Sequence, residues 1–146
     1  TDKALKDYDR AIELNPASTW AYMNRSILFY GRGEFAKAIL DCDALIRLDP
    51  KNVHAWSNRG LARQRTKEHQ KAIQDFTQAA QLDPMSFSAF LGRANVWYEL
   101  KEFNKAHEDY DRAIKLNPKD SKAHSGRGNT WVEKGDFDKA IQDFDT

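Results

Sequence analysis

A repeat of 34 residues constrains this sequence more than any other feature. Alanine recurs at this interval at Ala4, Ala38, Ala72, Ala106 and Ala140. Proline keeps the same interval at Pro16, Pro50, Pro84 and Pro118. A fixed period of this length is typical of arrays in which one supersecondary unit is stacked many times and contacts only its neighbours. The sequence therefore predicts a stack of copies rather than a closed bundle.

Each copy is predicted to hold two short helices joined by a turn. Apolar residues at helical spacing follow the N-cap residues Ser18, Asn52, Ser86 and Asp120. First helices are expected at Thr19–Gly31, Val53–Arg65, Phe87–Glu99 and Ser121–Glu133. Second helices are expected at Phe35–Leu48, His69–Leu82 and Phe103–Leu116. In the turns we expect left-handed backbone at Gly33 and Gly135, and, with some strain, at Lys67 and Lys101.

The helices divide the chain into one array of residues 1–146. Residues 1–18 form the second helix of a truncated repeat. Repeats follow at 19–52, 53–86 and 87–120, and a C-terminally truncated repeat occupies 121–146. The chain begins with Thr1 rather than methionine, and we interpret it as a segment of a longer protein.

The pattern resembles the tetratricopeptide repeat family, whose units are helix–turn–helix hairpins of this length. Counted from each first helix, the bulky fourth position holds Tyr22, Trp56, Phe90 and His124. The small eighth position holds Ser26, Gly60, Ala94 and Gly128. The alanine series is the twentieth position, and the resemblance covers the whole chain. It implies an all-α fold, a right-handed α-solenoid of antiparallel helix pairs.

Two residues depart from the pattern and predict looser packing in the third and fifth units. Arg63 occupies a position that is aromatic in the other units, and His124 replaces the aromatic residue of the fourth position. The aromatic residues at Arg63's position are Phe29, Trp97 and Trp131.

Charged residues at two repeat positions predict a ladder of ion pairs between consecutive units. The seventh position holds Arg25, Arg59, Arg93 and Arg127, and the twenty-third holds Asp7, Asp41, Asp75, Asp109 and Asp143. The predicted pairs are Asp7–Arg25, Asp41–Arg59, Asp75–Arg93 and Asp109–Arg127. The alternative is that the arginines cap helix carbonyls while the aspartates face water. Asp143 has no partner in the ladder, which suggests a further unit in the parent protein.

Composition argues against several classes of partner. Lys and Arg total 23 and Asp and Glu total 22, so the net charge is +1. This balance produces no strong field, and neither nucleic acid nor a membrane is an expected partner. No apolar run approaches the length of a membrane span. Cys42 is the only cysteine, which excludes an internal disulfide and favours a cytoplasmic location.

No pattern of residues predicts catalysis, a cofactor or a metal. The histidines have no metal-ligand spacing; they are His54, His69, His107 and His124. Cys42 stands where other copies have Tyr8, Phe76, Tyr110 and Phe144, and we interpret it as a small core residue. Paired carboxylates such as Asp41 and Asp43 recur with the period, so they are interpreted as structural. The chain is not expected to be an enzyme.

The resemblance implies that the first helices line a concave groove that binds peptides. The implied groove residues are Trp20, Met23, Asn24, Ile27, Tyr30, His54, Ser57, Asn58, Leu61, Gln64, Arg65, Leu91, Asn95, Tyr98, Lys122, Ser125 and Asn129. One end is apolar and the other polar. The alternative for Trp20 and Met23 is that a preceding helix of the intact protein covers them.

Two functions remain open from the sequence. The first is a non-catalytic scaffold that binds a peptide or protein in the groove. The second is an assembly element whose ends stack on other copies or on the rest of the parent chain. Some family members bind heat-shock chaperone C-termini through a basic fifth position, which is Met23, Ser57, Leu91 and Ser125 here, so that ligand is not expected. RNA binding by a related helical-pair array is a weaker reading, because the period and charge do not match.

Overall fold

The computed structural model describes residues 2–145, which form helices and turns without a strand. The helices are α1 Asp2–Leu14, α2 Thr19–Gly31, α3 Phe35–Leu48, α4 Val53–Arg65, α5 His69–Leu82, α6 Phe87–Glu99, α7 Phe103–Leu116, α8 Ser121–Glu133 and α9 Phe137–Phe144. The bounds of α2 to α8 are those predicted from the sequence. The chain divides into two compact units, residues 1–82 and 83–146.

The first unit contains α1 to α5. Helices α2 and α3 form one hairpin and α4 and α5 a second, while α3 also packs on α4 and α1 on α2. The hairpins are antiparallel: Tyr30 contacts Phe35 beside the turn, and Arg25 contacts Asp41 farther from it. Within this unit, consecutive helices therefore pack on one another.

The second unit contains α6 to α9 and follows the same plan. Helices α6 and α7 form one hairpin, α8 and α9 form the next, and α7 packs on α8. His107 of α7 joins α8 through a hydrogen bond between its Nδ1 and the Thr130 hydroxyl at 3.2 Å. Its ring also stands edge-on to Trp131, with ring centroids 4.3 Å apart.

Small residues let the helices of each hairpin approach closely. Ala38, Ala72, Ala106 and Ala140 are all buried. Gly60 of α4 lies under the ring of Phe76 of α5, and a Cβ placed there would be 2.9 Å from the nearest ring carbon. Because packed interiors have few voids, a small residue on one helix makes room for a ring on the other.

Three of the four predicted N-caps form. The side chains of Ser18, Asn52 and Asp120 accept hydrogen bonds from the backbone N–H three residues later. Ser86 does not cap α6. Its hydroxyl instead shares a hydrogen bond with the Ser88 hydroxyl at 3.3 Å, so that prediction is wrong for one helix.

The turns that follow the first helices confirm the predicted left-handed backbone. Gly33 and Gly135 have φ of 76° and 78°. Lys67 and Lys101 have φ of 63° and 60° at the matching positions. A side chain raises the energy of this conformation by about 1–2 kcal/mol, so the two lysine turns are held by the helices on either side.

The arginines of the predicted ladder do form ion pairs, but with other aspartates than those predicted. Arg25 binds Asp41 of its own hairpin through two hydrogen bonds of 2.6 and 2.8 Å. Its remaining Nη1 contacts Asp9 of the preceding helix at 2.6 Å. The predicted partner, Asp7, does not take part. Each pair within a hairpin and each pair to the preceding helix spans 16 residues.

The same arrangement recurs along the chain. Arg59 binds Asp75 and Asp43, and Arg127 binds Asp143 and Asp111. Arg93 binds Asp109 of its own hairpin at 2.7 Å. Asp143 therefore has a partner, and its supposed lack of one is no evidence for a further unit. The predicted pairs Asp41–Arg59 and Asp109–Arg127 are replaced by these contacts.

The two departures from the repeat pattern both make polar contacts with the helices around them. Arg63 joins the buried carboxylate of Asp75 at 2.8 Å, which gives that carboxylate a second guanidinium. His124 is 8% exposed, and its Nε2 lies 3.0 Å from the Pro118 carbonyl oxygen. The Trp56 indole makes the equivalent contact with the Pro50 carbonyl. The imidazole thus reproduces the polar contact of the indole it replaces.

Candidate partner-binding surface

The first helices present the residues that the family resemblance assigned to the groove; we call these residues the first-helix surface. In the first unit, the exposed members are Trp20, Ile27, His54 and Arg65. The half-buried members are Met23, Asn24, Tyr30, Asn58, Leu61 and Gln64. Ser57 is buried at 3%, and its hydroxyl has no hydrogen-bond partner within the described chain.

The exposed apolar residues of this surface in the first unit lie on α2. Trp20 is 64% exposed although its ring stands edge-on to Tyr8 of α1, with centroids 5.5 Å apart. Ile27 is 54% exposed. Met23 contacts α4, where its Sδ accepts a hydrogen bond of 3.4 Å from the Asn58 amide. Helix α1 therefore covers part of Trp20 and leaves most of the indole accessible.

A pocket of about 110 Å³ opens between α2, α3 and α4. Cys42 of α3 forms part of its inner wall, with Ile27 and Tyr30 of α2 on one side and Asn58 and Leu61 of α4 on the other. Burial raises the pKa of the Cys42 thiol to about 12. The thiol is therefore protonated at neutral pH and is a poor nucleophile.

In the second unit, the first-helix surface is largely polar. Lys122, Ser125 and Asn129 of α8 are exposed. Leu91, Asn95 and Tyr98 of α6 are half-buried. Asn95 accepts a hydrogen bond of 2.7 Å from the Tyr110 hydroxyl, so its carbonyl oxygen is engaged and its amide N–H groups remain available.

Tyr110 fills the place in the second unit that Cys42 occupies in the first. Its ring is 2% exposed and packs with Ala94 and Ala106. Burial raises the pKa of its phenol. The ring also lies so close to Gly126 of α8 that a Cβ there would overlap it. A Cys42-type pocket is therefore closed here by the protein's own side chain.

The described part of the chain offers no group of three or more His, Cys, Asp or Glu side chains placed to hold a metal. Nor does any helix within residues 2–145 have the length and apolar character needed to cross a bilayer. His107 and His124 are used in helix contacts. The sequence interpretation missed the pocket, the engaged Asn95 oxygen and the role of Asp9, Asp43 and Asp111.

Helix hairpins that recur at a 34-residue interval, with alanine and glycine between their helices, define a helical-repeat protein. Two family models, both described as tetratricopeptide repeat, match the chain. One matches residues 53–86 and 87–120, and the other matches residues 1–53. The chain belongs to the tetratricopeptide repeat family, and the predicted all-α α-solenoid class is confirmed.

Solved structures show the same fold. A crystal structure of MamA has a TM-score of 0.90 and 24% identity over 99% of this chain and 84% of that chain. MamA 41-end from Desulfovibrio magneticus RS-1 has a TM-score of 0.88 and 19% identity over 99% and 81%. A tetratricopeptide repeat protein from Parabacteroides merdae ATCC 43184 has a TM-score of 0.83 and 25% identity over 97% and 56%. No curated protein sequence matches.

Proposed function

We propose that the chain is a non-catalytic scaffold that binds a peptide or extended protein segment on its first-helix surface. Tetratricopeptide repeats mediate protein–protein interaction, and this chain carries them over most of its length. The observation that supports this site is the exposure of Trp20 and Ile27 on the same helix. Large apolar side chains exposed together are typical of interaction surfaces.

The polar residues of the second unit support a polypeptide ligand in particular. The orientation of Asn95 is fixed by Tyr110, and its free amide N–H groups suit a backbone carbonyl of the ligand. Asn129 is exposed on α8 and offers both a donor and an acceptor. On the second unit, a peptide held this way is recognised through its backbone.

A peptide-library screen with two matched pairs of variants tests the site. Ile27→Ala and Asn129→Ala remove side chains of the first-helix surface. Leu40→Ala and Asn104→Ala remove similarly exposed side chains from the second helices α3 and α7. For a selected peptide, we expect the variant in the unit that the peptide contacts to weaken binding by about tenfold, as hot-spot truncations do, and the second pair to leave affinity unchanged. Isothermal titration calorimetry measures both.

The reverse pattern, with affinity lost in Leu40→Ala and Asn104→Ala and kept in the other pair, would place the site on the second helices. Circular dichroism confirms that each variant is folded before titration. Neither Leu40 nor Asn104 makes a side-chain hydrogen bond or ion pair within the described chain, so both should be tolerated.

End-to-end assembly is the second candidate, and one feature of α9 favours it. Phe137, Ile141 and Phe144 are 62%, 57% and 48% exposed. The equivalent face of α7, which includes His107 and Tyr110, is packed against α8. Sedimentation velocity over a dilution series distinguishes the two functions. Assembly gives a mass that rises with concentration without peptide affinity, whereas the scaffold gives a constant mass with peptide affinity.

A further inference from the structure

We propose that the pocket beside Cys42 receives an aromatic side chain, phenylalanine or tyrosine, from the polypeptide bound on the first-helix surface. The pocket is a feature of this chain's own sequence, because one repeat carries a small residue where the others carry a ring. This inference rests on the proposed function and names the side chain that anchors the ligand.

The second unit shows what the pocket is shaped to hold. Tyr110 is the residue equivalent to Cys42, two repeats later. Its ring occupies the space between Asn95 of its own hairpin and Gly126 of the following helix. The residues equivalent to Asn95 and Gly126 are Ile27 and Asn58, and both line the Cys42 pocket. The pocket therefore occupies the position of the aromatic ring that the repeat containing Cys42 lacks.

The other repeats support the same reading. Phe76 also stands at the Cys42 position, fully buried, with its ring against Gly60. Cys42 is 1% exposed, so the thiol has not moved outward to fill the ring's place. The volume is left open at the surface, next to the exposed side chain of Ile27. A ring from another chain can enter where the protein's own ring is missing.

The walls suit an aromatic ring. Ile27, Tyr30 and Leu61 provide apolar contact, and the protonated Cys42 thiol adds a polarizable inner surface. An apolar cavity of about 150 Å³ holds a benzene molecule, and this pocket of about 110 Å³ is open on one side. The Asn58 amide donates to the Met23 sulfur, a weak acceptor. Its Oδ1 remains to accept a hydrogen bond from a tyrosine hydroxyl or a peptide N–H.

The first arm of the test uses toluene and p-cresol, which reproduce the two side chains without a backbone. Methyl NMR of the whole chain follows the Ile27 and Leu61 methyl groups during titration. We expect saturable shifts at these methyls in the native chain and in Cys42→Ala. Cys42→Phe supplies the missing ring internally, so its shifts should be lost. The absence of saturable shifts in the native chain would overturn the proposal.

A second variant guards against a misfolded Cys42→Phe protein. Tyr110 packs beside a glycine, whereas a ring at position 42 meets Asn58. Cys42→Phe/Asn58→Gly recreates the Tyr110–Gly126 combination within the first unit. Like the single variant, it should be folded by circular dichroism and should no longer respond to toluene. A folded variant that still shifts the Ile27 and Leu61 methyls would overturn the proposal.

The second arm uses peptides selected on the native chain. We expect an aromatic residue in the selected set, and replacing it by alanine should weaken binding about tenfold or more, the effect of losing one large buried apolar side chain. The same replacement should have no effect on affinity for Cys42→Phe. Peptides that bind without an aromatic residue and are indifferent to Cys42→Phe would overturn the anchor and leave the proposed function intact. If no peptide binds, the proposed function and the aromatic anchor are both wrong, and toluene binding alone would not support the anchor.

Discussion

Replacing Asp41 by asparagine is expected to lower the free energy of unfolding by about 3 kcal/mol. Its side chain is 5% exposed and accepts two hydrogen bonds from Arg25. These contacts, Asp41 first among them, raise the pKa of the guanidinium further. Asparagine has the same shape, but it lacks the charge and turns an amide N–H toward a cation. The Arg25 charge then remains in a largely buried position without its main partner. Urea denaturation followed by circular dichroism measures the loss.

Asp9 provides the matched control, because the same guanidinium binds it. The Asp9 side chain is 53% exposed, and its contact with Arg25 is also 2.6 Å long. In Asp9→Asn the guanidinium keeps Asp41 as its partner, and the substituted side chain is solvated, so the change should cost no more than about 1 kcal/mol. Equal losses for the two variants would show that burial does not set the strength of these pairs.

Gly60→Ala is expected to destabilise the chain, whereas the equivalent change Gly128→Ala is not. A Cβ at Gly60 would be 2.9 Å from the Phe76 ring, which is fully buried. The ring cannot move without disturbing its neighbours. Overpacking outweighs the better helix propensity of alanine, and we expect a net loss of about 1–2 kcal/mol.

At Gly128 the new Cβ would be closer still, 2.6 Å from the Phe144 ring. That ring is 48% exposed and can turn outward into solvent. The higher helix propensity of alanine is then not offset by overpacking, so Gly128→Ala should be neutral or stabilising by up to about 1 kcal/mol. Differential scanning calorimetry of both variants checks the pair. A larger loss for Gly128→Ala would mean that the initial distance, rather than the freedom of the ring, decides the outcome.

The helices and turns could be predicted because every copy repeats the same signals. N-cap residues and apolar spacing recur four times, so a weak signal in one copy is supported by the others. The left-handed turns at Lys67 and Lys101 illustrate this. Neither lysine indicates such backbone alone, but both align with Gly33 and Gly135.

The register of the ion pairs could not be predicted from the same pattern. Spacing along the sequence places an arginine near the aspartates of two hairpins, and only packing decides between them. The partners on the preceding helix are Asp9, Asp43 and Asp111, which lie two positions beyond aspartates of the predicted ladder. Their carboxylates take the guanidinium nitrogen that faces the preceding helix.

The pocket was also out of reach of the sequence interpretation. Cys42 is interpreted as a small core residue in an aromatic series, and this pattern alone does not show whether the space beside it closes. Whether a void closes depends on how far the surrounding side chains can relax. Here Asn58 and Met23 are tied to each other, and the space next to Ile27 remains open.

Arg25, Arg59 and Arg127 each bind one aspartate 16 residues earlier in the sequence and another 16 residues later. This spacing affects how the chain can gain or lose residues in evolution. A genetic deletion of residues 53–86 would bring Arg93 to the distance from Asp43 that Arg59 has now. Its partner Asp109 would move with it. Loss of this whole copy therefore restores the charge contacts at the new joint, whereas an insertion of one or two residues in a turn would disturb the contacts on both sides.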